Sequence, residues 1–427
     1  MQPSPTSARL STLPNGLRAV AIPMPWRATV SLSVFIRTGS HHESARLNGI
    51  SHVVEHMAFK GTASRNCQQI NLDAEALGAE VNAHTDKDHT AFHLEGLPQD
   101  LPAFVALLAD IVLNGSFPAD ELERERRVIE QEFTEFDEDP VAQAFQLFDR
   151  ASFGPSHPAG QPVIGRRANL RRFSRAELLD YVARQYSAAN VVVAAAGPVD
   201  EAAFVQAVQQ AFGQMRPGTP NEVGAPTWQG GLKARRLTGC AQCQIVLGYE
   251  APPLGDPRHW AYVLAAALLG EGMSSPLLDE IRERRGLAYH TACTADILPL
   301  TGQFFIEGAT APEQAEEFLI AVEALLRQHA EQPIARLGLE RARKQLTVRL
   351  LRAQEQPARR LEAAAQDLFT FGRLRETHEG LAQLQAVTPR QVKAVFKTLL
   401  ARRQAAVALA GSVPTRVRER AAALFLA

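Results

Sequence analysis

The chain has 427 residues, 46% of them hydrophobic, which at roughly 100–200 residues per domain is material for two or more domains with sizeable cores. Its 45 Lys and Arg against 46 Asp and Glu leave a net charge of −1, which gives no reason to expect nucleic acid or an anionic membrane as a partner. The 4 cysteines are too few for a disulfide scaffold, and no apolar run reaches the roughly 18 residues of a membrane span.

The first fourteen residues are polar and rich in Pro and Ser, without the apolar centre of a signal peptide, so a soluble cytoplasmic protein is expected. Order is expected to begin near the Asn15-Gly16 turn. Residues 30–37 alternate and are rich in β-branched and aromatic side chains, which predicts a strand. Residues 51–59 predict a helix capped by Ser51 and closed by Gly61, and residues 101–113 predict an apolar-periodic helix. A long charged helix is predicted over 120–138, with Asp120 as its cap and Pro140 beyond its end. Cys240 and Cys243 form a lone C-x-x-C before an apolar run read as a strand. Residues three apart on a strand point to opposite faces, so the pair is badly placed for joint metal binding.

An internal echo organises the chain. The apolar run 191–197 ends in Gly197 and precedes an amphipathic helix over 201–212. The run 405–411 ends in Gly411 and precedes a helix over 416–425. The two glycines are 214 residues apart, half the chain. Between them, residues 215–231 carry three prolines and four glycines and read as a linker. Two similar α+β domains follow, 15–214 and 232–427.

The chemistry concentrates in His52-Val53-Val54-Glu55-His56, an H-x-x-E-H pattern. With 3.6 residues per turn, positions 52 and 56 lie one above the other on a helix, so two imidazoles can converge on one ion. Glu55 lies beside that face and can reach a water at the metal without itself binding the metal. A catalytic zinc site takes three protein ligands, so one more must come from elsewhere. On the charged helix Glu125 and Glu132 are two turns apart and share a face, with Val128 and Ile129 between them marking it as buried or semi-buried. A buried carboxylate there needs a cation, and the spacing leaves both glutamates as candidates.

Residues 48–62 closely resemble the M16 metallopeptidases, the inverzincins that include pitrilysin, insulysin and the mitochondrial processing peptidases. That resemblance implies Glu132, with 75 residues between it and His56, as the third ligand of one zinc ion per chain, and Glu125 as the acid that supports the site. It implies that Asn82 and Ala83 lie on an edge strand that pairs with an extended peptide substrate. Residues 270–289 are similar to the family's C-terminal signature, in which an Arg and a Tyr seven residues later assist catalysis, the positions of Arg282 and Tyr289. It further implies two halves of one α+β fold, each a mostly antiparallel sheet covered by helices and together half of an M16 clamshell. A homodimer is expected, in which Arg282 and Tyr289 serve the zinc of the partner around a closed chamber for unfolded peptides. Two rival readings are a partner-dependent or non-catalytic subunit of a heterodimer, and a module that captures peptides without cleaving them. Within the peptidase reading, degradation of peptides and maturation of a precursor are equally open. His84, His89 and His93 match no ligand position and are read as non-ligands.

Overall fold

The computed structural model describes residues 7–401 and 404–426, so the first six residues of the polar leading stretch lie outside the described residues. The fold is mixed α+β, with two sheets. The first contains β1 (Arg9–Thr12), β2 (Arg18–Pro23), β3 (Val30–Ile36), β4 (Glu80–Thr85), β5 (Thr90–Gly96) and β6 (Val191–Gly197), in the order β1-β2-β6-β3-β5-β4. The second contains β7 (Gly231–Arg236), β8 (Cys243–Ala251), β9 (Ala288–Ile297), β10 (Gly302–Thr310) and β11 (Ala406–Gly411), in the order β7-β11-β8-β10-β9. The described residues already carry a strand, β1, ahead of the Asn15-Gly16 turn near which order is expected to begin, because Arg9–Thr12 pairs along β2.

Each sheet has one parallel pair, β2 with β6 and β7 with β11, among otherwise antiparallel neighbours. The repeated plan behind the Gly197 and Gly411 echo is therefore a repeated topology. In each sheet the glycine-ended strand lies between its parallel neighbour and an antiparallel one, and is followed by a helix, Glu201–Phe212 or Thr415–Phe425.

The chain forms two compact units that are discontinuous in sequence. One comprises residues up to Phe133, Pro162–Val223 and Arg352–Glu376; the other comprises Thr134–Gln161, Gly224–Leu351 and the chain from Thr377 onward. The reason lies in the central strands. β3 and β6 are buried along their whole length, so both faces of the first sheet need cover. One face packs Leu32, Val34, Phe92 and Val193 with Ile50, Val53 and Val54 of the helix Ile50–Ala58. The other packs Val20, Phe35, Ala91 and Val192 against Leu361, Ala364 and Leu368 of the helix Pro357–Phe371. The second sheet is treated alike: Ala144 and Phe148 of the helix Pro140–Phe153 lie against Val246, Phe305 and Ala408. Pro140, expected beyond a helix end, is also the first residue of this next helix.

Candidate metal centre

The helix Ile50–Ala58 begins at Gly49, whose φ of 99° lies in the left-handed region and whose missing side chain admits Gly165: a Cβ there would stand 2.8 Å from the Gly165 Cα. The sequence pattern predicts Ser51 as the cap of its first amides, but Ser51 does not cap them. The buried Glu43 carboxylate accepts the Gly49 and Ser51 N–H groups, each at 2.8 Å, and the Asn48 side-chain amide at 3.1 Å. A carboxylate with two oxygens satisfies more of the orphan amides than one hydroxyl can. The Ser51 hydroxyl instead bonds the Tyr181 hydroxyl at 2.8 Å.

This anchored helix presents His52 and His56 to the helix Ala119–Glu138. His52 Nε2 lies 3.5 Å from one Glu132 carboxylate oxygen and His56 Nε2 lies 3.4 Å from the other. One donor atom from each of the three residues falls within 4.8 Å of the others. A tetrahedral ion about 2.0 Å from its ligands separates them by about 3.3 Å, so these donors stand near the spacing zinc requires. Two imidazoles and a carboxylate are also a donor set that zinc uses in catalytic sites, where the fourth place stays open.

Glu125 is buried and lies between His56 and Lys60. It accepts from His56 Nδ1 at 3.0 Å, which leaves Nε2 as the lone pair facing the centre, and from Lys60 Nζ at 2.7 Å. Lys60 carries no motif that sequence reasoning could have used; its place one turn beyond His56 is the only signal. His52 lacks such a support: its Nδ1 is buried with no hydrogen-bond partner among the described residues. The face of the long helix also differs from expectation. Ile129 is fully buried between Glu125 and Glu132, but Val128 is 43% exposed, because at i+3 it falls about 60° short of a full turn from Glu125, on the side away from Ile129. Glu130 points away and pairs with Arg167 and Arg171.

Glu55 stands beside the centre and accepts a 2.6 Å hydrogen bond from the Thr85 hydroxyl on β4. Burial raises its pKa above the ordinary glutamate value, against the Thr85 bond and the His56 charge. The two histidines are pushed apart. Burial and His56 hold His52 down to about 4, whereas at His56 burial is outweighed by Glu132 and Glu125 and the pKa rises. The His56 hydrogen bond, working against partial burial, holds Glu132 below its usual range.

β4 is the outer strand of its sheet, pairing only with β5 among the described strands. Ala83 and Thr85 share one face, that of Glu55. Asn82 lies on the other, opposite His93 in the β4–β5 register, and its side-chain oxygen accepts the Ala83 N–H at 2.8 Å. Arg282 and Tyr289 belong to the second compact unit. The Arg282 guanidinium lies 5.0 Å from the centre of the Tyr289 ring, and Tyr289 is 82% exposed. The two C-x-x-C cysteines are free; Cys243 is buried at the start of β8 and its thiol is pushed up to about 12 by that burial.

Two family models match the chain: the insulinase model of peptidase family M16 over residues 18–165, and the peptidase M16 inactive domain over residues 172–346. A protein of Mycobacterium tuberculosis described as an uncharacterized zinc protease is 34% identical over 407 residues, covering 94% of this chain and 92% of the relative. The chain belongs to peptidase family M16. A Bacillus subtilis member, also described as an uncharacterized zinc protease, is 27% identical over 389 residues, covering 91% of this chain and 94% of its own. Among solved structures, a protease from Helicobacter pylori superposes with a TM-score of 0.87 at 20% identity, covering 95% of this chain and 99% of that one. A peptidase M16 inactive domain from Pseudomonas fluorescens gives 0.85 at 21% identity, covering 95% and 98%. His52, His56 and Glu132 of this M16 chain fall inside the insulinase match, and Arg282 and Tyr289 fall inside the inactive-domain match.

Proposed function

We propose that the chain is a zinc metalloendopeptidase that hydrolyses unfolded peptides, or a peptide precursor, in the cytoplasm. The observation that carries this reading is the convergence of His52, His56 and Glu132 beside a carboxylate, Glu55, that is held by Thr85 and left free of the metal ligands. The unit containing these residues is the metal-binding peptidase domain, and the second unit supplies the Arg/Tyr pair.

His52 Nε2, His56 Nε2 and Glu132 would hold the zinc ion, one such ion at this centre. When bound, the ion supplies Lewis acidity, making hydroxide available near neutral pH and withdrawing charge from a carbonyl. The rest is the work of side chains. An extended peptide adds to the free edge of β4 at Asn82 and Ala83, so its backbone is fixed by main-chain hydrogen bonds and not by its sequence. Glu55, with its raised pKa, takes the proton of the attacking water and delivers it to the leaving amine. Glu125 keeps His56 in the tautomer that leaves Nε2 free. Tyr289 of the partner subunit donates its hydroxyl to the developing oxyanion, and Arg282 of the partner subunit holds the substrate backbone. A homodimer with two sites is the simplest assembly, because one chain carries both sets of residues.

The test is Glu55→Gln, with the purified chain assayed on a fluorogenic peptide without added partner. The variant is expected to keep its metal and lose turnover by several orders of magnitude. Wild-type cleavage by Glu55→Gln would remove Glu55 from the mechanism. A wild-type chain that binds zinc yet cleaves only after a second M16 subunit is added would favour the heterodimer reading.

A further inference from the structure

A second cluster of ligand-type side chains lies across the first sheet. His84 on β4 and His89 in the β4–β5 connection bring their Nε2 atoms to 3.2 Å, and His89 Nε2 lies 3.0 Å from a Glu362 carboxylate oxygen on the helix Pro357–Phe371. These donors also fall within 4.8 Å of one another. Register places them on the far side of β4. His84 pairs with Ala91, and Ala91 and Phe35 pack against the helix Pro357–Phe371, whereas Thr85, Glu55 and the first trio occupy the other face.

The protons of this cluster can be counted. His93 Nδ1 contacts the Ser33 hydroxyl at 2.8 Å and His93 Nε2 contacts His84 Nδ1 at 2.8 Å. If the relay runs from His84 to His93 to Ser33, each ring donates from Nδ1 and His84 Nε2 is a bare lone pair. His89 Nε2 then carries at most one hydrogen, which can point to His84 or to Glu362 but not well to both. If the relay runs the other way, His84 donates to His89 and the Glu362 oxygen faces a lone pair at 3.0 Å. A cation between the three atoms satisfies all of them, and the two separations at His89, 3.2 and 3.0 Å, lie near the roughly 3.3 Å edge of a tetrahedral zinc site. The relay through His93 to Ser33 then has the form that orients a ligating imidazole from behind. The His84 side chain is 41% exposed, which leaves the group a path to solvent.

We propose that His84 Nε2, His89 Nε2 and Glu362 form a second site for a divalent transition-metal ion of the zinc class, which pins the edge strand β4 to the helix Pro357–Phe371. Two imidazoles and one carboxylate select zinc, cobalt, nickel or copper over calcium or magnesium. The ion joins residues 84 and 362, far apart in sequence, and stiffens from behind the strand whose free edge lies beside the first centre.

The full chain, stripped with a chelator, reloaded with zinc or cobalt and desalted, is measured by elemental mass spectrometry. Two ions per wild-type chain are expected, one in His56→Ala and one in His84→Asn/His89→Asn. Zinc should raise the melting temperature of His56→Ala by roughly several degrees, and this rise should vanish when the second pair is also replaced. Glu362→Gln, a milder change, should weaken the second ion at least tenfold while the first keeps its affinity, and it stands in if the double variant does not fold. One ion in the wild type that is lost in His56→Ala, or two ions retained in both His84→Asn/His89→Asn and Glu362→Gln, overturns the proposal. One ion retained in His56→Ala but lost in the double variant supports this site and sinks the assignment of the first.

Discussion

Replacing Glu125 with Ala should weaken zinc at the first centre by about 10- to 100-fold without touching a ligand. The magnitude follows from the contacts. Glu125 accepts from His56 Nδ1 at 3.0 Å and from Lys60 Nζ at 2.7 Å, and it is buried. A hydrogen bond to a charged group contributes about 1.5–3 kcal/mol, and each 1.4 kcal/mol is tenfold in affinity. Loss of the His56 contact therefore predicts about the 10- to 100-fold range found when partners behind metal ligands are removed. Glu125→Gln keeps an oxygen for His56 and should lose less than Glu125→Ala. Glu125→Ala also strands the Lys60 ammonium in a partly buried place, so adding Lys60→Met should restore stability but not zinc affinity. Competition with a chromophoric chelator reads the affinity, the first centre's ion being the one abolished in His56→Ala. Chemical denaturation reads the stability. A Glu125→Ala chain that holds this ion within twofold of wild type would refute the claim that Glu125 acts through His56.

Mixing tests the arrangement of the dimer. Glu55→Gln and Tyr289→Phe homodimers, each weak alone, should recover roughly a quarter of wild-type activity after subunit exchange, because half the dimers gain one intact site. No recovery would mean that Tyr289 does not serve a partner. Glu43→Ala should cost about 2–4 kcal/mol in denaturation, since it frees three buried donors at the start of the helix Ile50–Ala58. Burial and the Arg37 charge lower the His42 pKa to about 4, below its ordinary 6.5. The unfolded chain therefore binds this proton first, and stability falls as pH drops from 6.5 towards 4. Between pH 7 and pH 5 His42 should account for about 2 kcal/mol of lost stability, and urea titrations should show that His42→Asn removes this share.

The legible part of this molecule was whatever repeats at short range. The i, i+4 histidines, the strand at 30–36, the helix at 101–113 and the paired strand–glycine–helix motifs all follow from local periodicity. Which glutamate closes the trio did not: Glu125 and Glu132 share a helical face, and only family resemblance separated them. The helix 357–371 covers the first sheet although 159 residues lie between it and β6, and nothing in its composition signals that destination. The contact between His89 and Glu362 is hidden for the same reason, since it forms only through that long-range packing. Ser51 was a plausible cap by residue type, but Glu43 occupies the place because the chain before the helix folds back under it.

The most direct test is anomalous diffraction at the zinc edge from crystals of the zinc-loaded full chain. A peak about 2.0–2.2 Å from His52 Nε2, His56 Nε2 and a Glu132 oxygen is predicted, with Glu55 near it but outside bonding distance. No peak among these three side chains, or one ligated by Glu55 in place of Glu132, would contradict the account.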